Sequence, residues 1–160
     1  MNIRPYAPHD LARLIDLTIE TFGPFYEGSF RPVVGETVFH HQHGNWRDDY
    51  RSQVSNLHEP NNNKYVAVAE KDDSIVGYVA WNFDLDRKHG EIDILAVSAA
   101  YRGDRTGTEL CELAFTDMKD RGVEVVAIGT GGDPFHAPAR TLYESLGCTH
   151  FPGAYFFKQL

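Results

Sequence analysis

Between Val97 and Cys111 the chain reads Val-Ser-Ala-Ala-Tyr-Arg-Gly-Asp-Arg-Thr-Gly-Thr-Glu-Leu-Cys. The apolar run Ile92-Asp93-Ile94-Leu95-Ala96-Val97 enters this stretch, and the helical pattern Leu110, Leu113, Ala114, Met118 leaves it. The turn between them holds Arg102, Gly103, Arg105 and Gly107. Small residues there let backbone N–H groups converge on one spot at the positive end of a helix dipole. Such a strand-turn-helix suits a phosphate or pyrophosphate, and the two arginines add positive charge. The same residues also fit an ordinary strand-to-helix connection, because glycine is common in tight turns. Upstream, Glu91 and Asp93 lie two apart on the strand, so they share a face. Such a pair could belong to a solvated sheet face, or one carboxylate could serve as a general base.

Other phosphate motifs fit less well. No Lys-Ser or Lys-Thr completes a P-loop. Gly129-Thr130-Gly131-Gly132 begins like a dinucleotide fingerprint, but Asp133-Pro134 follows instead of a helix entry. His40-His41-Gln42-His43 lacks the carboxylate or cysteine spacing of a metal site, so no metal is expected.

The surrounding elements follow from periodicity. Asn2–Tyr6 reads as a short strand. Asp10 is expected to cap a helix carrying Leu11, Leu14, Ile15, Thr18, Ile19 and Phe22, which Gly23-Pro24 should stop. Residues 25–45 read as irregular and aromatic-rich, with a helix from about Asn45 to Leu57 striped by Trp46, Tyr50, Val54 and Leu57. Strands are expected over 64–70 and 75–83, joined by a hairpin at Lys71-Asp72-Asp73-Ser74, with Gly77 marking a bulge. Asp84–Gly90 turns back into the strand before the anion loop. The helix after the loop should end at Gly122. Val123–Ile128 then reads as a buried strand, parallel to Ile92–Val97 because a helix separates them. A helix with Ala139, Leu142, Tyr143 and Leu146 closes at Gly147, and Phe151–Phe157 supplies one or two closing strands. The expected class is mixed α/β: a single domain over 1–160 with one central sheet and helices on both faces.

Composition narrows the partners. At 160 residues, with 42% hydrophobic and 12% aromatic content, the chain is long enough to bury a sizeable core. A net charge of −8 argues against general affinity for nucleic acid or an anionic membrane and would draw in cations. No apolar run approaches the roughly 20 residues of a membrane span. Met1–Pro5 lacks a signal-peptide core, so Cys111 and Cys148 are expected as free thiols in the cytoplasm.

Two stretches resemble signatures of the GCN5-related N-acetyltransferases, the GNAT superfamily. Tyr101–Thr108 is similar to its acetyl-CoA loop, [QR]-x-x-G-x-[GA], with Arg102 and Gly107 at the end positions and Arg105 at the usual central glycine. His136–Cys148 is similar to N-x-x-A-x-x-L-Y-x-x-x-G-F, with Ala139, Leu142, Tyr143 and Gly147 in place, His136 for Asn and Cys148 for Phe. The opening Ile-Arg-Pro-Tyr and the hairpin Val-Ala-Val-Ala-Glu…Ile-Val-Gly-Tyr-Val also match family habit. The resemblance implies a mostly antiparallel sheet with one splayed parallel pair, and acetyl transfer from acetyl-CoA by direct amine attack.

It also assigns roles. Acetyl-CoA would be held by Leu95, Ala96 and Val97, by Arg102, Gly103, Asp104, Arg105, Thr106, Gly107 and Thr108, and by His136 and Ala139. A bulge at Leu95–Val97 would offer N–H groups to the thioester carbonyl. Tyr143 would protonate the leaving thiolate, with Glu91 or Asp93 as base. Phe25, Tyr26, Glu27, Trp46 and Asp84 would line the acceptor site, although a stripe like Trp46/Tyr50 is more often core than ligand. The Thr130–Glu144 run is similar to aminoglycoside N-acetyltransferases and favours a cationic, hydroxyl-rich acceptor; a polyamine or other metabolite amine is the competitor. A non-catalytic acyl-CoA-binding module is the reading outside enzymes, and family habit allows a homodimer.

Overall fold

The computed structural model describes residues 1–160. Five strands form one sheet in chain order: β1 (Asn2–Pro5), β2 (Lys64–Lys71), β3 (Ser74–Asp84), β4 (His89–Val97) and β5 (Val125–Ile128). All neighbours are antiparallel except β4 and β5, which are parallel as the crossover rule requires. The β2–β3 turn places Asp72 and Asp73 at φ 51° and 59°, the left-handed pair that a two-residue hairpin needs.

One face of the sheet packs on α1 (Leu11–Pro24) and α4 (Trp46–Ser55), burying Leu14, Leu17, Val54, Val68, Tyr78 and Ile94. The other packs on α5 (Thr106–Asp120), burying Val79, Trp81, Ile92, Leu110, Ala114 and Met118. Tyr78 is fully buried, and its hydroxyl shares a 2.5 Å hydrogen bond with Thr18 Oγ1. That bond offsets the cost of putting a phenol in the core.

Three expectations about the N-terminal half are corrected. The first is that Gly23-Pro24 does not end α1. The chain continues through a wide π-helical stretch at Phe25–Phe30 into α2 (Arg31–Val34) and, after Gly35, α3 (Glu36–His43). A wider turn accommodates a proline that lacks a donor and crowds the preceding carbonyl. Gly23 serves packing instead, since a Cβ there would sit 3.1 Å from Trp46 Cη2. The second correction concerns residues 25–45, which are therefore helical, not irregular. The third is Asp10, which does not cap α1. Its carboxylate accepts from Ala7 N–H at 2.8 Å and from both Arg4 Nη atoms at 2.8 and 2.9 Å.

Asp10 is 2% exposed, so this pair ties the first strand to the first helix across the edge of the core. Arg4 holds the Asp10 carboxyl below its ordinary 3.8. The stabilisation is therefore complete above that value and disappears as pH falls through the lowered one. Replacing Asp10 by Asn should cost about 1.5–3 kcal/mol near neutral pH. Thermal melts should show the gap from the native chain narrowing in acid.

The C-terminal third also departs from expectation. β5 is an edge strand, with Val125 61% exposed, not a buried one. After α6 (Ala137–Ser145), residues 149–160 form no strand. The bulge expected at Gly77 lies beside it: Ala69 pairs with Gly77 and Glu70 with Ile75, which leaves Val76 as the extra residue.

Candidate active site

The sheet opens where β4 and β5 part. Their ladder ends at Ile92–Ile128, and no β5 residue stands in register with 93–97. At that point β4 carries a bulge: Ala80 pairs with Ile94 and Trp81 with Ile92, leaving Asp93 as the extra residue. The expected bulge at Leu95–Val97 is thus corrected to Asp93. Because the extra residue shifts the alternation, Ile92 faces α5 while Ile94 faces α1.

Leu95 and Val97 still present their amides to the gap, for a different reason. Ser98 N–H donates to Val76 O on β3 at 2.7 Å. Alternation turns Ala96 the same way, and the N–H groups of Leu95 and Val97 away from β3 into the opening. Arg102 Nε donates to Val97 O at 3.1 Å, which fixes the loop against the strand end.

Asp93 is half-buried, and Asn82 Nδ2 donates to its Oδ1 at 2.8 Å. Burial raises its pKa above the ordinary 3.8, with nearby Glu91 adding to the rise and the Asn82 bond opposing it. Glu91 differs: its side chain is 54% exposed, with His89 Nε2 3.6 Å away. The structure therefore separates the two carboxylates by environment.

At the mouth of the gap, Gly103 has φ +85° and Arg105 φ +71°, a left-handed position that a glycine would occupy without strain. Thr106 N–H and Oγ1 both donate to Asp104 Oδ1, at 3.2 and 2.5 Å. The Asp104 carboxylate is therefore engaged by the first residue of α5. The N–H groups of Gly107 and Thr108 remain unclaimed in the first turn of α5. A Cβ on Gly107 would lie 3.2 Å from Leu142 Cδ2 and 3.8 Å from Leu95 and Val97, so its bare backbone faces the gap between β4 and α6. These two amides with exposed Arg102 and Arg105 fit a diphosphate, despite the Asp104 charge.

Tyr143 lies on α6 beside Cys111 and Cys148. Burial pushes its phenol far above the ordinary 10, with the thiols adding to the shift, and its hydroxyl has no hydrogen-bond partner in the chain. A neutral phenol with a free O–H is a proton donor in waiting. Cys111 is buried and its thiol is pushed up to about 12 by that burial, so it is packing, not a nucleophile.

His136 caps α6 seven residues before Tyr143. Its Nδ1 shares a 2.6 Å hydrogen bond with Asp133 Oδ1. Arg140 pins the preceding turn by donating to Gly131 O and Asp133 O at 2.6 and 2.7 Å. A side chain on Gly131 would collide with both Asp133 and His136. Asp133 escaped the sequence reading, although an Asp three residues before His136 beside Gly131-Gly132 was a readable signal.

The opposite wall is aromatic. Phe25 packs on His136 at 4.7 Å and on Phe135 at 5.6 Å. Tyr26 stacks on Trp46 at 5.0 Å, and its hydroxyl shares a 3.0 Å hydrogen bond with that of Tyr50. Phe25 thus lies against the turn that opens α6, with Tyr26 beside it on Trp46 and Tyr50, whereas three other expected acceptor residues are otherwise engaged. Trp46 is 2% exposed and belongs to the core. Glu27 accepts from Arg31 at 2.8 Å and Trp46 Nε1 at 3.1 Å, so its charge is already answered. Asp84 closes the β3–β4 hairpin by accepting from Asp86 N–H, opposite His89 and away from the opening. Ala139 is half-buried on α6 with no polar group to offer beyond its backbone.

A sheet parted at a parallel pair, with a helix N-terminus at the opening, is the arrangement the sequence signatures implied. The Acetyltransferase (GNAT) family matches over residues 22–148. The chain belongs to this family. GNAT acetyltransferases take acetyl from acetyl-CoA and deliver it to an amine, and the enzyme reading of this chain rests on that membership. Over 64 residues the chain is 33% identical to the uncharacterized N-acetyltransferase YsnE of Bacillus subtilis (strain 168), covering 40% of this chain and 42% of that protein. It thus spans less than half the length of that curated relative. Among solved structures it is similar to PaiA N-acetyltransferase from Thermoplasma acidophilum in complex with coenzyme A: 16% identity, TM-score 0.69, 91% of this chain and 87% of that one. An aminoglycoside 6′-N-acetyltransferase from Acinetobacter haemolyticus gives 14% identity, TM-score 0.70, and 100% and 99% coverage. At these identities the likeness establishes a GNAT fold.

Proposed function

We propose that this GNAT protein acetylates a small cationic amine by direct attack on acetyl-CoA, with Asp93 as base and Tyr143 as acid. The observation that carries the reading is the half-buried Asp93 carboxylate, with a raised pKa, at the bulge where β4 leaves β5. Acetyl-CoA supplies a thioester whose carbonyl the amine attacks. An aliphatic ammonium is protonated near neutral pH and must first lose a proton. Asp93 takes that proton directly or through one water, and its raised pKa makes it a better acceptor than an exposed carboxylate. The gap-facing N–H groups of Leu95 and Val97 hold the oxygen on which charge develops. Tyr143 returns a proton to the departing sulfur. Gly107 and Thr108 N–H, with Arg102 and Arg105, hold the phosphates.

An aminoglycoside is the first choice of acceptor, supported by the net charge of −8 and by the Thr130–Glu144 run. A polyamine is the second reading, and one observation favours it: Glu27 is already paired, so the segment beside His136 brings the rings of Phe25 and Tyr26 more than free carboxylate. Those rings suit an alkyl ammonium. Turnover of aminoglycosides, polyamines and amino acids, compared by kcat/KM and by the mass of the acetylated product, tests the choice. Aminoglycosides should lead; polyamine turnover without aminoglycoside turnover would reassign the acceptor.

A further inference from the structure

On the side of the sheet away from β5, a cleft of about 790 Å³ lies between α5 and the strands β1 and β2. Its size is that of a small-molecule site. Ile3, Tyr65, Ala67, Trp81 and Leu113 give it an apolar lining, and none of its lining residues belongs to the gap.

Charge in the cleft is one-sided. α5 contributes Glu112, Asp117 and Asp120 to the lining. Glu112, Thr116 and Asp120 follow at four-residue intervals and so share one helix face. The basic residues of the lining are already committed, Arg4 to Asp10 and Glu70, and Arg121 to Asp117. His58 is uncharged: its Nδ1 accepts from Val66 N–H at 3.0 Å, and burial lowers its pKa below the ordinary 6.5. Glu112 and Asp120 therefore stand in the lining with no basic side chain to answer them. Eight residues apart, they are separated by roughly 12 Å along the helix axis, too far to close on one metal ion.

The chain itself shows how this lining holds a cation. The Arg121 guanidinium lies 4.5 Å over the centre of the Tyr65 ring, and its Nε donates to Asp117 at 3.0 and 3.1 Å. Asp117 also accepts from Trp81 Nε1 at 2.9 Å. Aromatic rings backed by carboxylates favour an organic cation, because the rings attract its charge and the apolar surface takes its body out of water.

We propose that this cleft is a second binding site, for a small organic cation whose charge meets the acidic face of α5 and whose apolar body lies on the β1–β2 side. The site is separate from the acceptor site, and its occupant need not be a substrate.

The two tryptophans of the chain report on different places. Trp81 Nε1–H donates to Asp117 in the cleft, whereas Trp46 Nε1–H donates to Glu27 beside α4. Benzyltrimethylammonium is the probe, since a quaternary nitrogen is charged at every pH and cannot accept an acetyl group; benzyl alcohol is the neutral control. In titrations of the full chain followed by proton–nitrogen correlation NMR, the cation should move the Trp81 indole signal saturably and leave the Trp46 signal in place. The alcohol should move neither. E112Q/D120N, changed at two exposed positions, should keep its circular dichroism and need about tenfold more cation for the same shift. A Trp81 signal that the cation leaves still, that the alcohol moves equally, or that titrates in E112Q/D120N as in the native chain would each overturn the site. A shift confined to Trp46 would overturn it too, and would put the cation on the α4 side. Binding is read without turnover, so failure here is distinct from failure of Asp93, Tyr143 or the acceptor assignment.

Discussion

Asp93→Asn should lower kcat/KM by about 10²–10⁴ while leaving acetyl-CoA affinity unchanged. The substituted amide would keep an oxygen to accept from Asn82, so the bulge should survive the change. What is lost is the ability to take the amine's proton. The stability readout has the opposite sign. Asp93 has a folded pKa raised by burial, so folding favours its protonated form. That contribution is present below the ordinary carboxylate pKa and is lost as pH rises through the raised one. Near neutral pH the native chain bears the cost of a half-buried charge, and the amide removes it. Melting temperature should therefore hold or rise as activity falls. The native pH–rate profile should show an acid limb above that of an exposed carboxylate, and the variant should lack it. If D93N keeps full activity, the base lies elsewhere.

Tyr143→Phe is the second large effect, with an expected loss of about 10²-fold or more in kcat. The phenol donates to no group in the chain, so its removal deletes a proton and no structural contact. Acetyl-CoA binding and thermal stability should stay close to native. Because burial keeps the phenol protonated well into the alkaline range, Tyr143 should contribute no basic limb to the profile below that range. A variant that loses CoA affinity in proportion to kcat would make Tyr143 a packing residue of α6.

Both candidates were named from the sequence, by different routes, and D93N and Y143F test their roles. Tyr143 stood in a spaced signature, and Asp93 in an alternating strand before a turn of small and basic residues. The Asp72-Asp73 hairpin, the parallel placement of β5 and the end of α5 near Gly122 also followed from local chemistry. Most of the errors turn on tertiary contacts, while Asp10 is drawn from its capping role by its near neighbours Arg4 and Ala7. Gly23-Pro24 is strong local punctuation, but Trp46 packs over Gly23 and the next turn widens to admit Pro24. Glu27 reads as free to meet a substrate, but Arg31 one helical turn on and Trp46 Nε1 across the fold both claim it. A bulge depends on pairing register, which residue types at 93–97 do not encode. Phe151–Phe157 reads as one or two closing strands because its composition is strand-like, and composition does not supply the edge a strand needs.

If the gap between β4 and β5 transfers acetyl to an amine, each turnover frees one CoA thiol. Release of free CoA thiol from acetyl-CoA, followed by absorbance with and without a panel of aminoglycosides, polyamines and amino acids, tests it most directly. Amine-dependent release by the native chain is the expected result, lost in D93N and Y143F although both still bind acetyl-CoA. Tight acetyl-CoA binding with no release for any amine would contradict it and leave an acyl-CoA-binding module in its place.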